Sequence, residues 1–171
     1  MSTTIHLPEA MPEITSRTLL VVCDAHHCSV FDIAGHTLML KEEIRSHEPR
    51  DEDRQSISHG KGGATIGVGE HTHVEEHRLH EFAHTVSARM ATLVSAQKIE
   101  AVYLAAPGKF LSLLKKNLAT SVAKLLEAAI DGNFAKEPPL QTFARFRPDL
   151  KAAMDELRGE ENYSSKKHLP K

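Results

Sequence analysis

The chain has 171 residues, of which 40% are hydrophobic and 26% charged. That is enough apolar material for one buried core, and no apolar run reaches the roughly 20 residues a membrane span needs. A formal net charge of −2 with interspersed signs excludes a global pull toward nucleic acid or membrane, so DNA is not expected as a partner and any RNA contact must come from a local patch.

Residues 1–15, MSTTIHLPEAMPEIT, carry Pro8 and Pro12 among small and polar side chains and lack the basic start and apolar centre of a signal peptide. They predict a flexible N-terminal arm on a cytoplasmic protein. Thr18 to Cys23, TLLVVC, is a continuous apolar and β-branched run, the pattern of a strand covered on both faces. His27 to Ile33 and His36 to Ile44, separated by Ala34-Gly35, complete an antiparallel three-strand meander. Cys23 and Cys28 are the only cysteines, too few for a disulfide framework or a self-contained zinc site, and read as reduced, partly buried thiols.

Ser46 to Thr72 is polar, with Pro49 and five glycines, and predicts a long loop of the kind that carries function or stays disordered. From His73 to Gln97 the positions Leu79, Phe82, Ala83, Val86, Met90, Leu93 and Val94 recur at helical spacing. Thr72 is the expected N-cap of that helix, with Glu75 as its capping-box partner. Ala101 to Ala106 predicts a buried strand stopped by Pro107-Gly108, and a helix begins near Lys109. Val122 to Ile130 fits either a continuing helix or a short strand. Glu137-Pro138-Pro139 starts another helix, Pro148 to Leu157 adds further turns, and the charged run 159–171 predicts a disordered tail. The expectation is a single α/β domain over residues 16–158 with a mixed sheet. The loops after Thr18–Cys23 and Ala101–Ala106 share one sheet edge, where α/β folds usually bind ligands.

The chemistry gathers between His59 and His84, HGKGGATIGVGEHTHVEEHRLHEFAH. His73, His77, His80 and His84 are spaced by four, three and four residues. At about 100° per residue they share one stripe away from the apolar face. Histidines one turn apart can chelate zinc, copper or nickel, so a divalent transition metal is the only cofactor the residues suggest. A solvated polar face gives the same spacing, and no HExxH is present. Gly60 to Thr65 lacks the terminal Lys-Ser/Thr of a P-loop, although glycines beside Lys61 can wrap a backbone phosphate. Lys61, Arg78, Lys109, Lys115 and Lys116 form a candidate basic patch. Cys23 or Cys28 with His26, His27 or His36 is disfavoured as a nucleophile, because no oxyanion motif accompanies them.

Three segments, TLLVVCDAHHCSVFDIAG, EFAHTVSARM and above all LAAPGKFLSLLKKNL, resemble the bacterial family named for proteins required for attachment to host cells. That family is similar to the central domain of archaeal and eukaryotic class-one peptide-chain release factors and of Pelota. The resemblance covers residues 18 to 146, with its most specific piece at Ala105 to Leu114. It implies a ribonuclease-H-like three-layer fold with a five-stranded mixed sheet, and reads Val122 to Ile130 as a strand. In release factors a Gly-Gly-Gln tripeptide occupies the loop between meander and helix; here Gly62-Gly63 hold that place and Ala64 replaces the glutamine. The implied function is therefore a non-enzymatic domain that binds the ribosome or tRNA, in translational stress, rescue or hibernation. Its contacts would be Lys61, Gly62, Gly63, Ala64, His73, His77, Arg78, His80, His84 and Lys109. The alternatives are a protein-binding or host-attachment role outside translation, and a metal-dependent hydrolase built on the stripe His73, His77, His80 and His84.

Overall fold

The computed structural model describes residues 3–47 and 68–166. In chain order the elements are β1 (Thr4–His6), β2 (Ile14–Cys23), β3 (His27–Gly35), β4 (Thr37–Arg45), α1 (Val68–Gln97), β5 (Ala101–Ala106), α2 (Gly108–Asn117), α3 (Thr120–Ala123), β6 (Leu126–Asp131), α4 (Pro139–Ala144) and α5 (Pro148–Lys166). The strands form one six-stranded sheet in the order β1-β4-β3-β2-β5-β6. β2, β3 and β4 make the expected antiparallel meander, with Gly35 at φ 58 turning the chain between β3 and β4. β5 joins β2 in parallel and β6 joins β5 in parallel. β4 and β2 therefore run the same way, and Cys23, Arg45, Ala106 and Asp131 all arrive at one sheet edge.

Alternation along the strands divides the core into two layers. Leu19, Val21, Cys23, Cys28, Val30, Val102 and Leu104 face Phe82, Val86 and Met90 of α1 and Phe110 and Leu114 of α2. Leu20, Val22, Phe31, Ile33 and Ala105 face Phe143 of α4 and Leu150 of α5. Helices on both sides of a mixed sheet give the α/β layering that the element order predicts.

Four expectations need correction. The sheet has six strands, because residues 3–15 are not a free arm: β1 pairs with β4 through Thr4↔Met39, Ile5↔Leu38 and His6↔Thr37. Leu7, Met11 and Ile14 bury to 4%, 2% and 6% exposure. A three-residue strand followed by prolines offers no periodicity to detect. Helix α1 begins at Val68, so Thr72 lies inside it and is not its N-cap. The ambiguous run Val122 to Ile130 divides into the end of α3 and strand β6. The disordered tail expected at 159–171 is helical as far as Lys166, carried on from turns anchored by buried Leu150 and Ala153, and 167–171 lie outside the described residues.

Candidate functional site

The edge where β2, β4 and β5 end is also where α1 crosses, and two adjoining cavities open there. The larger, of ≈ 560 Å³, is lined by Arg45, Ser46 and His47 after β4 and by Arg78, Glu81, Phe82, His84 and Thr85 of α1. The smaller, of ≈ 360 Å³, is lined by Ala25 and His26 of the β2–β3 turn, Ser46, Glu75, Glu76, Arg78 and Leu79 of α1, and Lys109 of α2. Ser46 and Arg78 belong to both, so the two form one groove. Leu79 and the nearly buried Phe82 lie among its lining, and its rim carries both signs of charge.

The β2–β3 turn is braced from within, because Asp24 Oδ1 accepts the N–H groups of His26 and His27, each at 2.7 Å. Lys109 Nζ donates to Glu76 Oε1 at 3.0 Å. That hydrogen bond holds the Glu76 carboxyl below the usual glutamate range, helped by the charge of Lys109 and by the nearby His73 and His80. The rim at Glu76 is therefore anionic and already paired. Arg78, half-buried at the junction of the cavities, supplies the cation.

Of the expected contact residues, the structure brings Arg78, His84 and Lys109 to the groove. His73, His77 and His80 form an exposed row outside it. His77 Nε2 lies 3.3 Å from Glu81 Oε1, one turn along the same helix, so its nearest charged neighbour is a carboxylate. Lys61, Gly62, Gly63 and Ala64 lie outside the described residues. The segment that carries them, 48–67, leaves β4 after His47 and returns to α1 at Val68. Among the described residues no three His, Cys, Asp or Glu side chains gather as a metal site. The stripe offers pairs one turn apart, enough for weak chelation and short of the four ligands a structural zinc site uses.

Arg45, Ser46, His47 and His26 also line the groove, and none of them is among the expected contacts. The available signal was topological: a three-strand meander sends its first and third strands to the same edge. Cys23 and Cys28 are fully buried, and burial pushes the Cys23 thiol well above its ordinary range, opposite to what a nucleophile needs. His36 sits at the β3–β4 turn, the far end of β3 from Cys28, and cannot act as its base. Among the described residues no helix is long and apolar enough to cross a membrane.

The model of a family described as "Protein required for attachment to host cells" matches residues 19–142. No curated protein matches the chain. Among solved structures, the archaeal translation termination factor aRF1 is similar with a TM-score of 0.46 and 13% identity, over 86% of this chain and 40% of that one. Dom34 of S. cerevisiae, described as a translation termination-like factor involved in RNA quality control pathways and interacting with Hbs1, is similar with a TM-score of 0.42 and 13% identity, over 88% of this chain and 42% of that one. The chain thus spans about two fifths of the length of these structures. Identity and superposition at these values are too low to transfer an activity or a partner.

Proposed function

The chain belongs to the family of proteins required for attachment to host cells, and from that starting point we propose that it is a non-catalytic, release-factor-like domain that binds RNA of the ribosome or a tRNA. The observation that carries this reading is the groove at the sheet edge. Arg45, His47, Arg78 and His84 line it beside Glu75, Glu76 and Glu81, and the segment bearing Lys61, Gly62, Gly63 and Ala64 follows His47 in the chain. Guanidinium and imidazole groups suit contact with a phosphate backbone. His73, His77 and His80 extend the same helix outward as secondary contacts, and Lys109 contributes from α2. The reading includes a ribonuclease-H-like layout for β2 to β6, a cytoplasmic location, and a role in translational stress, rescue or hibernation. Ala64 in place of the hydrolytic glutamine supports binding without catalysis.

Sedimentation of the full chain with purified ribosomes at low and high salt tests the proposal. Co-migration at low salt that weakens as salt rises is expected, because phosphate contacts release counterions. Absence from the ribosomal pellet at low salt, together with no binding of labelled tRNA in the same buffer, would overturn it. A second reading follows from the family's description, in which the same groove receives a protein at a cell surface. Cell fractionation separates the two, since only the second places the protein outside the cytoplasm.

A further inference from the structure

Cys23 ends β2, Cys28 lies near the start of β3, and the two are directly opposite in the antiparallel ladder. Asp24 N donates to His27 O at 2.8 Å, which makes the neighbouring pair, Asp24 and His27, a bonded one. Bonded and non-bonded pairs alternate, so Cys23 and Cys28 form a non-hydrogen-bonded pair, with Cα atoms about 4.5 Å apart. That lies within the roughly 4.4–6.8 Å span a disulfide bridges. The thiols already meet, with Sγ to Sγ at 2.7 Å, and both side chains are fully buried against the α1 side of the sheet. The four residues between them include Ala25 and His26, which wall the smaller cavity.

We propose that Cys23 and Cys28 are a reversible thiol–disulfide pair whose oxidation cross-links the β2–β3 turn beside the groove. Two S–H bonds break and one S–S bond forms; the two electrons and two protons pass to a small-molecule disulfide, whose own S–S bond is reduced to two thiols. The geometry favours this intramolecular product over any other, because the partner sulfur is in place before reaction. Burial sets the rate: the turn must open for the first exchange, so the pair reacts more slowly than an exposed thiol, and the bond once made is shielded from reductant. The bond adds a tether to a turn already held by Asp24, by the ladder and by the Ser46 N–H donated to His26 O at 2.7 Å.

The test equilibrates the full chain in glutathione buffers from fully reduced to fully oxidised, followed by acid quenching, unfolding, alkylation and mass measurement. The expected result is joint loss of both alkylatable thiols in a monomer, reversed by dithiothreitol. Cys23→Ser and Cys28→Ser should each abolish that species and leave one thiol, free or as a single glutathione adduct. Two glutathione adducts on one chain, cross-linked dimers, or two free thiols across the whole range would each overturn the proposal. The wild-type readings decide it even if a serine variant folds poorly.

Discussion

Lys109 Nζ lies 3.0 Å from Glu76 Oε1, tying the first turn of α2 to the histidine-bearing part of α1 on the rim of the groove. The contact makes the Glu76 carboxyl more acidic than usual, chiefly through the hydrogen bond itself. A carboxylate depressed on folding contributes stability above its unfolded pKa, and that contribution disappears as pH falls through the lower folded value. Lys109→Ala should therefore move the Glu76 titration upward toward the ordinary range, read by NMR over an acidic pH series. Stability at neutral pH should hardly change, because both partners are exposed. An unmoved titration would show that the pair does not persist in solution.

Phe110 of α2 stacks on Phe82 of α1 with ring centroids 5.2 Å apart and planes 21° from parallel, and it is 1% exposed. Truncation to alanine leaves a void between two helices and the sheet. Phe110→Ala should lower unfolding free energy by about 3–5 kcal/mol, measured by urea denaturation. A loss under about 1 kcal/mol would mean that the helices close over the gap.

Gly132, just after β6, has φ +152, and a Cβ there would come within 2.6 Å of the Phe134 ring. That ring also lies beneath Arg145, whose guanidinium carbon is 4.5 Å from its centroid. Gly132→Ala should cost about 1–3 kcal/mol from backbone strain, with the ring forced off its present position. Thermal melts give the stability change, and the Phe134 NMR resonances report the displacement.

Arg78 is the basic side chain of α1 common to both cavities. If RNA phosphate is the ligand, Arg78→Ala should weaken binding uniformly across sequences and lower the log–log salt slope by about 0.7–0.9, one contact's worth. Filter binding or fluorescence anisotropy at several salt concentrations provides both numbers. Unchanged affinity and slope would place the RNA elsewhere.

The hydrolase reading of His73, His77, His80 and His84 has its own check. Protein purified without an affinity tag is expected to hold substoichiometric zinc, nickel and copper by elemental analysis, since the stripe presents exposed pairs rather than a closed set. One metal ion per chain that resists mild chelation would contradict this and revive the reading.

Periodicity made the meander, α1, β5 and α2 legible, because each buries a continuous apolar run or a full helical stripe. It failed where tertiary contacts decide. β1 gains its strand identity only by lying against β4, and nothing within Thr4–His6 announces it. The helical part of 159–166 has a polar composition that suits a solvated helix as well as a disordered tail. The histidine spacing put four side chains on one stripe, yet it could not tell that His84 reaches a cavity while His73, His77 and His80 stay outside it. That distinction depends on where β4 ends and how α1 crosses it, two facts about segments distant in sequence. The groove's other lining residues, Arg45 and His47, look ordinary until the strand order places them opposite Arg78.

The short strand β1 has a practical consequence. It covers the first part of the outer edge of β4, from Thr37 to Leu40, which would otherwise present unpaired N–H and C=O groups there. Trimming the first thirteen residues would remove that cover together with the buried Leu7 and Met11. The shortened protein should then self-associate through strand addition at β4, so a fusion partner or cleavage site belongs at the other end of the chain.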